Sequence, residues 1–317
     1  MKDIIALGEL LVDFTRIGLS DAGMRIFEQN PGGAPANMLV AATNLGMETG
    51  LIGKIGNDMH GLFLKQVLEE KGVDTGNVIV SDEVFTTLAF VDVQPDGARA
   101  FSFARKPGAD TCLEPAEVNR DEIRQSRVFH FGSLSLTHEP ARAATLAALA
   151  CAKEAGVVIS FDPNYRAPLW GSRSDVAAMI RQVLPYVQIL KCSDEETGLL
   201  TGEDDPEKAA QQLCEQGIPL VVVTMGRQGA LVRTAAGAAT AAPLDFGAVD
   251  TTGAGDAFMG GLLARFVQAG RPPEDVSLAE AEQFIRYANV VASLCVQKRG
   301  GIVSMPSKQE VDAHFHQ

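Results

Sequence analysis

The chain has 317 residues, 46% of them hydrophobic and 21% charged, a balance that fits one large α/β unit and excludes a disordered or low-complexity chain. Its net charge of −13 argues against a nucleic-acid-binding surface and makes any local cluster of basic groups more telling. The opening Met-Lys-Asp-Ile-Ile-Ala-Leu-Gly-Glu does not read as a signal peptide, and no apolar run reaches the roughly 18–20 residues that cross a bilayer, so a cytoplasmic protein without a membrane partner is expected.

Ile4-Ile5-Ala6-Leu7-Gly8 reads as the first strand, and Leu10-Leu11-Val12-Asp13-Phe14 as a second extended segment. Pro31-Gly32-Gly33-Ala34-Pro35-Ala36-Asn37 is a glycine-rich turn that enters a helix over 35–45, with Pro near its first turn and Gly46 past its last. Glycine lets backbone approach a ligand. Asn37, one turn into that helix, offers both donor and acceptor to hydroxyl groups. A tight turn that binds nothing is the competing reading. A strand over 51–55 and a helix over 59–71, closed by Gly72, come next. The β-rich runs 86–93 and 98–104 flank Gln94-Pro-Asp-Gly97 and predict a hairpin. Together with residues near 10–30 it is expected to form a small sheet separate from the main one.

From residue 128 strands alternate with helices: strands over 128–131, 157–161, 187–190 and 220–224, helices over 139–154, 174–184 and 206–216. Residues 234–242 read as a turn between short strands. Two helices, over about 256–268 and 278–297, finish the chain. This alternation predicts an α/β fold with a doubly wound, mainly parallel sheet flanked by helices, residues 1–317 making one domain. Ligands bind beyond the carboxyl ends of such strands. The polar residues there are Asp13, Asp162-Pro-Asn164, Cys192-Ser-Asp-Glu-Glu196 and Thr224-Met-Gly226, a mixture of acids, amides and glycines suited to a sugar-phosphate site. The five cysteines (112, 151, 192, 214 and 295) show no Cys-x-x-Cys pair, the pattern of reduced thiols.

Asp250-Thr-Thr-Gly-Ala-Gly-Asp256 carries the most chemistry. Apolar groups at 258, 262 and 266 place a helix directly after it, so Gly253, Ala254 and Gly255 sit where loop becomes helix. The first N–H groups of a helix lack internal partners and carry partial positive charge, which suits an anion such as phosphate. A carboxylate beside that site repels the anion, and Asp256 has a reason to be there if it takes the proton of an attacking hydroxyl. The alternative is an acid that merely stabilises the helix start.

Gly32-Gly33-Ala34-Pro35-Ala36-Asn37 and Asp250-Thr-Thr-Gly-Ala-Gly-Asp256, in this order and separation, resemble the two signatures of the ribokinase-like carbohydrate kinases, often called PfkB. The resemblance runs from Gly8-Glu9 to Ser304-Met-Pro306. It implies that Asp256 is the catalytic base and that Gly253, Ala254 and Gly255 form an anion hole for the moving phosphoryl group. Asp13, Gly32, Gly33 and Asn37 become sugar ligands. Thr224-Met-Gly226-Arg-Gln-Gly229 resembles the nucleotide loop, and Asn289 a residue near adenine. Glu196 matches the acid of the family's Asn-x-x-Glu motif, tied to Mg2+ through water, with Ser193 where the family has Asn. Asn164 falls with this nucleotide-side group. A monovalent cation, K+, is implied at Asp250 and the Thr252 carbonyl, completed by loop groups around Cys295, Lys298, Gly300 and Ser304. In the family the hairpin strands form a lid over the sugar, and the lid edge pairs with a second subunit, which implies a homodimer.

Ser102-Phe-Ala-Arg-Lys-Pro-Gly-Ala-Asp110 and Phe161-Asp-Pro-Asn-Tyr-Arg166 resemble the fructokinase branch. The reaction so implied is transfer of the γ-phosphate of ATP to the 6-hydroxyl of D-fructose. Arg105 and Arg166 would donate to sugar hydroxyls or pair with a carboxylate, which leaves 2-keto-3-deoxygluconate as a second substrate candidate. Two other classes fit the sequence less well. A dinucleotide-binding oxidoreductase needs Gly-x-Gly-x-x-Gly after its first strand, and Gly8-Glu9-Leu10 stands there instead. A non-catalytic sugar-binding protein of the same fold would have lost its base, and Asp256 is present.

Overall fold

All four residues of β1 (Ile4–Leu7) are buried, because helices cover both faces of the strand. Ile4 and Ala6 face one apolar cluster and Ile5 and Leu7 the other, so the strand reads as a continuous apolar run rather than an alternation. A computed structural model describes residues 1–93 and 99–315. The expected turn at Gln94-Pro-Asp-Gly97 lies outside the described residues.

After β1 the chain leaves the main sheet for β2 (Leu11–Leu19) and β3 (Arg25–Gly32), which pair antiparallel with Asp13 opposite Asn30. It returns through α1 (Ala34–Asn44), β4 (Thr49–Gly56), α2 (Met59–Glu70) and β5 (Asp74–Ser81). It then leaves again for β6 (Leu88–Val93) and β7 (Arg99–Ala104). Next come α3 (Arg120–Arg124), β8 (Val128–Gly132), α4 (Ala141–Glu154), β9 (Val158–Asp162), α5 (Arg173–Val183) and β10 (Ile189–Ser193). The last third holds α6 (Asp194–Leu200), α7 (Pro206–Glu215), β11 (Leu220–Thr224), β12 (Ala230–Thr234), β13 (Gly237–Ala241), α8 (Ala254–Ala269), α9 (Leu278–Cys295) and α10 (Lys308–Phe315).

The main sheet has nine strands in the order β13-β12-β11-β10-β9-β8-β1-β4-β5, parallel except for β12 and β13. The second sheet has four, in the order β3-β2-β6-β7. Residues 237–241, expected in a turn, are the edge strand β13; Gly237 makes the reversal and the alanines after it continue the ladder. The strand β5 and the helix α10 had no clear signal, since Asp74–Ser81 and Lys308–Phe315 mix polar and apolar groups without a clean period.

The order of the main sheet reverses at β1, whose neighbours are β4 on one side and β8 on the other. That switch point opens a crevice at the carboxyl ends of the strands. The helices α1 and α8 pack across it at close range. Gly260 makes this possible, because a Cβ there would stand 2.6 Å from the Ala41 Cβ and 2.8 Å from the Met38 carbonyl. The close approach brings Asn37 of α1 to Asp256 of α8, 219 residues away in sequence.

Candidate active site

The crevice holds a cleft of about 750 Å³, walled by the ends of β1, β2 and β3, the start of α8, and the loops after β9 and α9. Its base is Asp256, in the first turn of α8 and only 8% exposed. Each carboxylate oxygen accepts from an amide: Asn37 Nδ2 donates to Oδ2 at 2.8 Å and Asn164 Nδ2 to Oδ1 at 2.9 Å. Asn164 holds a left-handed φ of 43°, a conformation Asn tolerates better than most residues, and this turns its amide back toward the cleft. Burial pushes the Asp256 carboxyl above its ordinary value, opposed by the Asn37 hydrogen bond and by the charges of Lys191 and Arg166. A carboxylate so shifted is a stronger proton acceptor than one in water.

The α8 N-terminus opens on Gly253, at φ 77° in the left-handed region that glycine occupies without strain. Gly253 and Gly255 line the cleft, whereas the Ala254 N–H turns back to the Thr251 carbonyl at 3.3 Å. Asp250 braces the preceding loop. Its Oδ1 accepts from the Thr252 N–H at 3.0 Å and the Thr252 hydroxyl at 2.8 Å, and its Oδ2 from the Gly300 N–H at 3.1 Å.

On the other wall, Asp13, Gly33 and Asn37 line the cleft, and a side chain at Gly32 would collide with the Asp13 carboxylate. The Asn37 Oδ1 is buried and, among the described residues, has no hydrogen-bond partner. A buried acceptor without a partner is costly in a closed protein, so its place beside Asp256 suits a donor that enters the cleft. Glu9 is a further cleft residue. Its Oε1 accepts the Ala34 N–H at 2.9 Å, placing a carboxylate at the start of α1, and burial raises its carboxyl from 4.5 to about 7.

Other expected site residues stand outside the cleft. Arg105 is the clearest departure: its guanidinium forms a buried ion pair with Asp110 at 2.6 Å and also donates to the Thr137 hydroxyl at 3.0 Å and the Leu134 carbonyl at 3.1 Å. A basic residue placed by sequence near the pocket is thus committed to the wall behind it. Arg166 does line the cleft and is exposed. On the nucleotide side, Asn289 Nδ2 donates to the Ala241 carbonyl at 2.8 Å, and the Thr224 hydroxyl to the Cys192 carbonyl at 3.3 Å. Glu196 accepts from the Tyr165 N–H at 2.7 Å and the Ser193 N–H at 2.8 Å, tying α6 to the loop after β9. Gly226 and Gly229 bound the turn between β11 and β12. Asn164, expected with this group, donates to the Asp256 carboxylate instead. Near the cation loop, the Cys295 Sγ lies 3.0 Å from the Ser304 hydroxyl, and the Lys298 ammonium points away to Glu310 at 3.0 Å.

Sequence reasoning passed over Lys191, which lies in the cleft and pairs with Asp162 at 2.8 Å. The signal was available: a lysine inside the buried run Ile189-Leu190-Lys191-Cys192 requires a partner. His130 donates to or accepts from the Ser160 hydroxyl at 2.9 Å, and burial lowers its value to about 3, so it is a neutral packing residue.

A parallel sheet with a four-stranded cover, and a glycine-started helix presenting a buried carboxylate to the crevice, define a ribokinase-like ATP-dependent carbohydrate kinase. Residues 1–308 match the pfkB family of carbohydrate kinases, and the chain belongs to that family. It is 40% identical to Fructokinase-1 of Oryza sativa subsp. japonica over 97% of this chain and 96% of that protein. The crystal structure of fructokinase with bound ATP from Xylella fastidiosa superposes with a TM-score of 0.90 at 31% identity, covering 99% of this chain and 98% of the other. A double mutant of the Vibrio cholerae fructokinase with fructose, ADP and potassium ion bound gives 0.88 at 31% identity, over 99% and 98% of the two chains. Among the described residues no helix is long and apolar enough to cross a membrane.

Proposed function

We propose that this kinase moves the γ-phosphoryl group of ATP to the 6-hydroxyl of D-fructose, with Asp256 as general base. The observation that carries the reading is the Asp256 carboxylate, buried at the α8 N-terminus and held at both oxygens by Asn37 and Asn164. Held in this way it presents one orientation to a hydroxyl entering the cleft. Phosphoryl transfer has a loose transition state, so alignment and charge stabilisation supply most of the rate. Gly253 and Gly255 offer backbone to the charge that gathers on the phosphoryl oxygens.

The sugar wall favours a neutral polyol. Glu9, Asp13 and Asn37 line the cleft there, two acids and an amide whose oxygen has no partner among the described residues. An anionic substrate would meet Asp13 there, and Arg105 is already neutralised by Asp110. Arg166, exposed on the opposite wall, is the feature that speaks for a keto acid as second reading.

ATP is assigned to the turn bearing Thr224, Gly226 and Gly229, with Asn289 behind it. Glu196 and Ser193 are assigned to Mg2+, which when bound would neutralise phosphate charge; a cation of this kind takes few protein carboxylates and shares the nucleotide's oxygens. Asp250, the Thr252 carbonyl and the Ser304 hydroxyl, with the loop at Cys295, Lys298 and Gly300, offer the hard oxygen donors that suit K+. The second sheet is assigned as a lid and dimer surface, supported by Ile17 and Leu19 of β2, 52% and 56% exposed; sedimentation of a single 33.6 kDa species at micromolar concentration would remove the dimer.

The test is an ADP-release assay with ATP and fructose, 2-keto-3-deoxygluconate, ribose and adenosine in parallel. Fructose is expected to give the highest kcat/KM. Faster turnover of the keto acid would replace the substrate and leave the phosphotransferase assignment standing.

A further inference from the structure

Lys191 is a buried lysine in a catalytic cleft, and the reaction described so far gives it no part. It is 5% exposed and Asp162 beside it 3%. An ammonium carries three donors. Among the described residues Nζ donates to Asp162 Oδ2 alone, at 2.8 Å. Burying such a pair is expensive, and a purely apolar replacement is often as stable, so the pair is weak evidence for a structural role.

Its position is specific. Lys191 is the middle residue of β10, and its side chain places Nζ beside Gly255 in the first turn of α8. A Cβ on Gly255 would lie 3.0 Å from Nζ. The glycine therefore does two things: it frees the backbone to face the cleft and leaves the ammonium room beneath it. Lys191, Asn164, Gly253, Gly255 and Asp256 all line the same cleft.

We propose that Lys191, locked in place by Asp162 beneath Gly255, is a further catalytic residue whose ammonium meets the negative charge on the phosphoryl group as it moves. The inference rests on the kinase reading of this cleft. In the step, the bond from the sugar oxygen to the γ-phosphorus forms as the bond from that phosphorus to the β,γ-bridging oxygen breaks. The hydroxyl proton goes to Asp256, and the bridging electron pair leaves on ADP. Lys191 gives up no proton. Burial alone would lower its affinity for a proton, but Asp162, Glu196 and Asp256 outweigh that and raise it, so the charge is permanent at neutral pH. The charged and titratable groups facing this region are Asp162 and Arg166 around the end of β9, Glu196 on α6, Asp250 and Arg299 on the cation loops, Cys295 on α9, and the neutral His130 on β8. A fixed cation costs no reorganisation when charge develops, which is why it is more effective than water.

The experiment compares Lys191→Met, Lys191→Arg and the double variant Lys191→Met/Asp162→Asn with the parent enzyme. The double variant removes both buried charges and guards against misfolding caused by an orphaned Asp162; its melting curve is recorded alongside. The expected result is a fall in kcat of about 10²–10³ in both Met-bearing variants. The fructose KM should stay within about threefold, and Arg should restore part of the rate. Affinity for ADP with aluminium fluoride, a mimic of the moving phosphoryl group, should fall in parallel while ADP affinity holds. This binding arm reads Lys191 whether or not fructose is turned over. Unchanged affinity for the mimic would overturn the inference, as would a kcat loss that disappears at high pH, since the lysine would then act only through Asp256. An inactive parent that still shows the difference in mimic affinity would count against the substrate and not against Lys191.

Discussion

The two halves of the candidate site, the cleft and the region outside it that the family resemblance assigns to the nucleotide, are built in opposite ways. In the cleft, the half assigned to the sugar, polar side chains line the opening: among the described residues Asn37 Oδ1 has no hydrogen-bond partner, and Asp13 lies on the same wall. In the half assigned to the nucleotide, the side chains that sequence singles out are engaged inside the protein. Asn289 holds the Ala241 carbonyl, Thr224 the Cys192 carbonyl, and Glu196 two backbone N–H groups. The difference teaches that, under the proposed function, one half would recognise its ligand through side chains and the other through backbone whose shape those side chains maintain. A sugar hydroxyl needs directional partners, whereas phosphate and ribose are served by N–H groups and close approach.

Three substitutions sharpen or break that contrast. The largest effect belongs to the base. Asp256→Asn should lower kcat by about 10²–10⁴ with little change in fold, read by the rate of ADP release and a thermal melt. Near-parental activity would remove the base and with it the functional meaning of the sugar half.

The second effect is on stability and concerns Glu9. Its carboxyl is raised in the folded protein, from 4.5 to about 7. Between those values the folded state holds a proton that the unfolded chain releases. Stability is therefore greatest below the unfolded value and falls as pH rises through about 7, by on the order of 3 kcal/mol in all. Glu9→Gln keeps an acceptor for the Ala34 N–H and removes the charge. It should melt higher than the parent at pH 8 and match it at pH 5. A melting difference that is the same at both values rules out Glu9 as the source.

The smallest effect lies in the nucleotide half. Asn289→Ala leaves the Ala241 carbonyl without its donor, a loss of about 1–3 kcal/mol, with the KM for ATP moving less than about threefold. A large rise in that KM at unchanged stability would mean that Asn289 addresses the nucleotide itself, and the two halves would then be alike.

Much of the layout was legible along the chain. The helix after Gly253 was marked by its apolar spacing and the turn before Asn37 by its glycines, because local sterics and period set both. The strands from 128 to 224 announced themselves as short apolar runs. The strand β5 and the edge strand β13 did not, since partly exposed strands carry mixed residues and alanine has little preference for extended backbone. Among site residues, Asp256 and Asn37 stood out by motif. Arg105 misled, because nothing local says that Asp110 and the Leu134 carbonyl will enclose it.

The sequence by itself determined the alternating architecture, the kinase family and the two glycine turns, because period, turn chemistry and motif spacing are local properties. Only the tertiary structure decided which polar groups face the cleft. Asn37 and Asp256 meet across 219 residues because Gly260 lets two helices touch, and Lys191 reaches Gly255 because β10 and the start of α8 pack together. Such contacts depend on packing distances between elements, and no short stretch of chain encodes those.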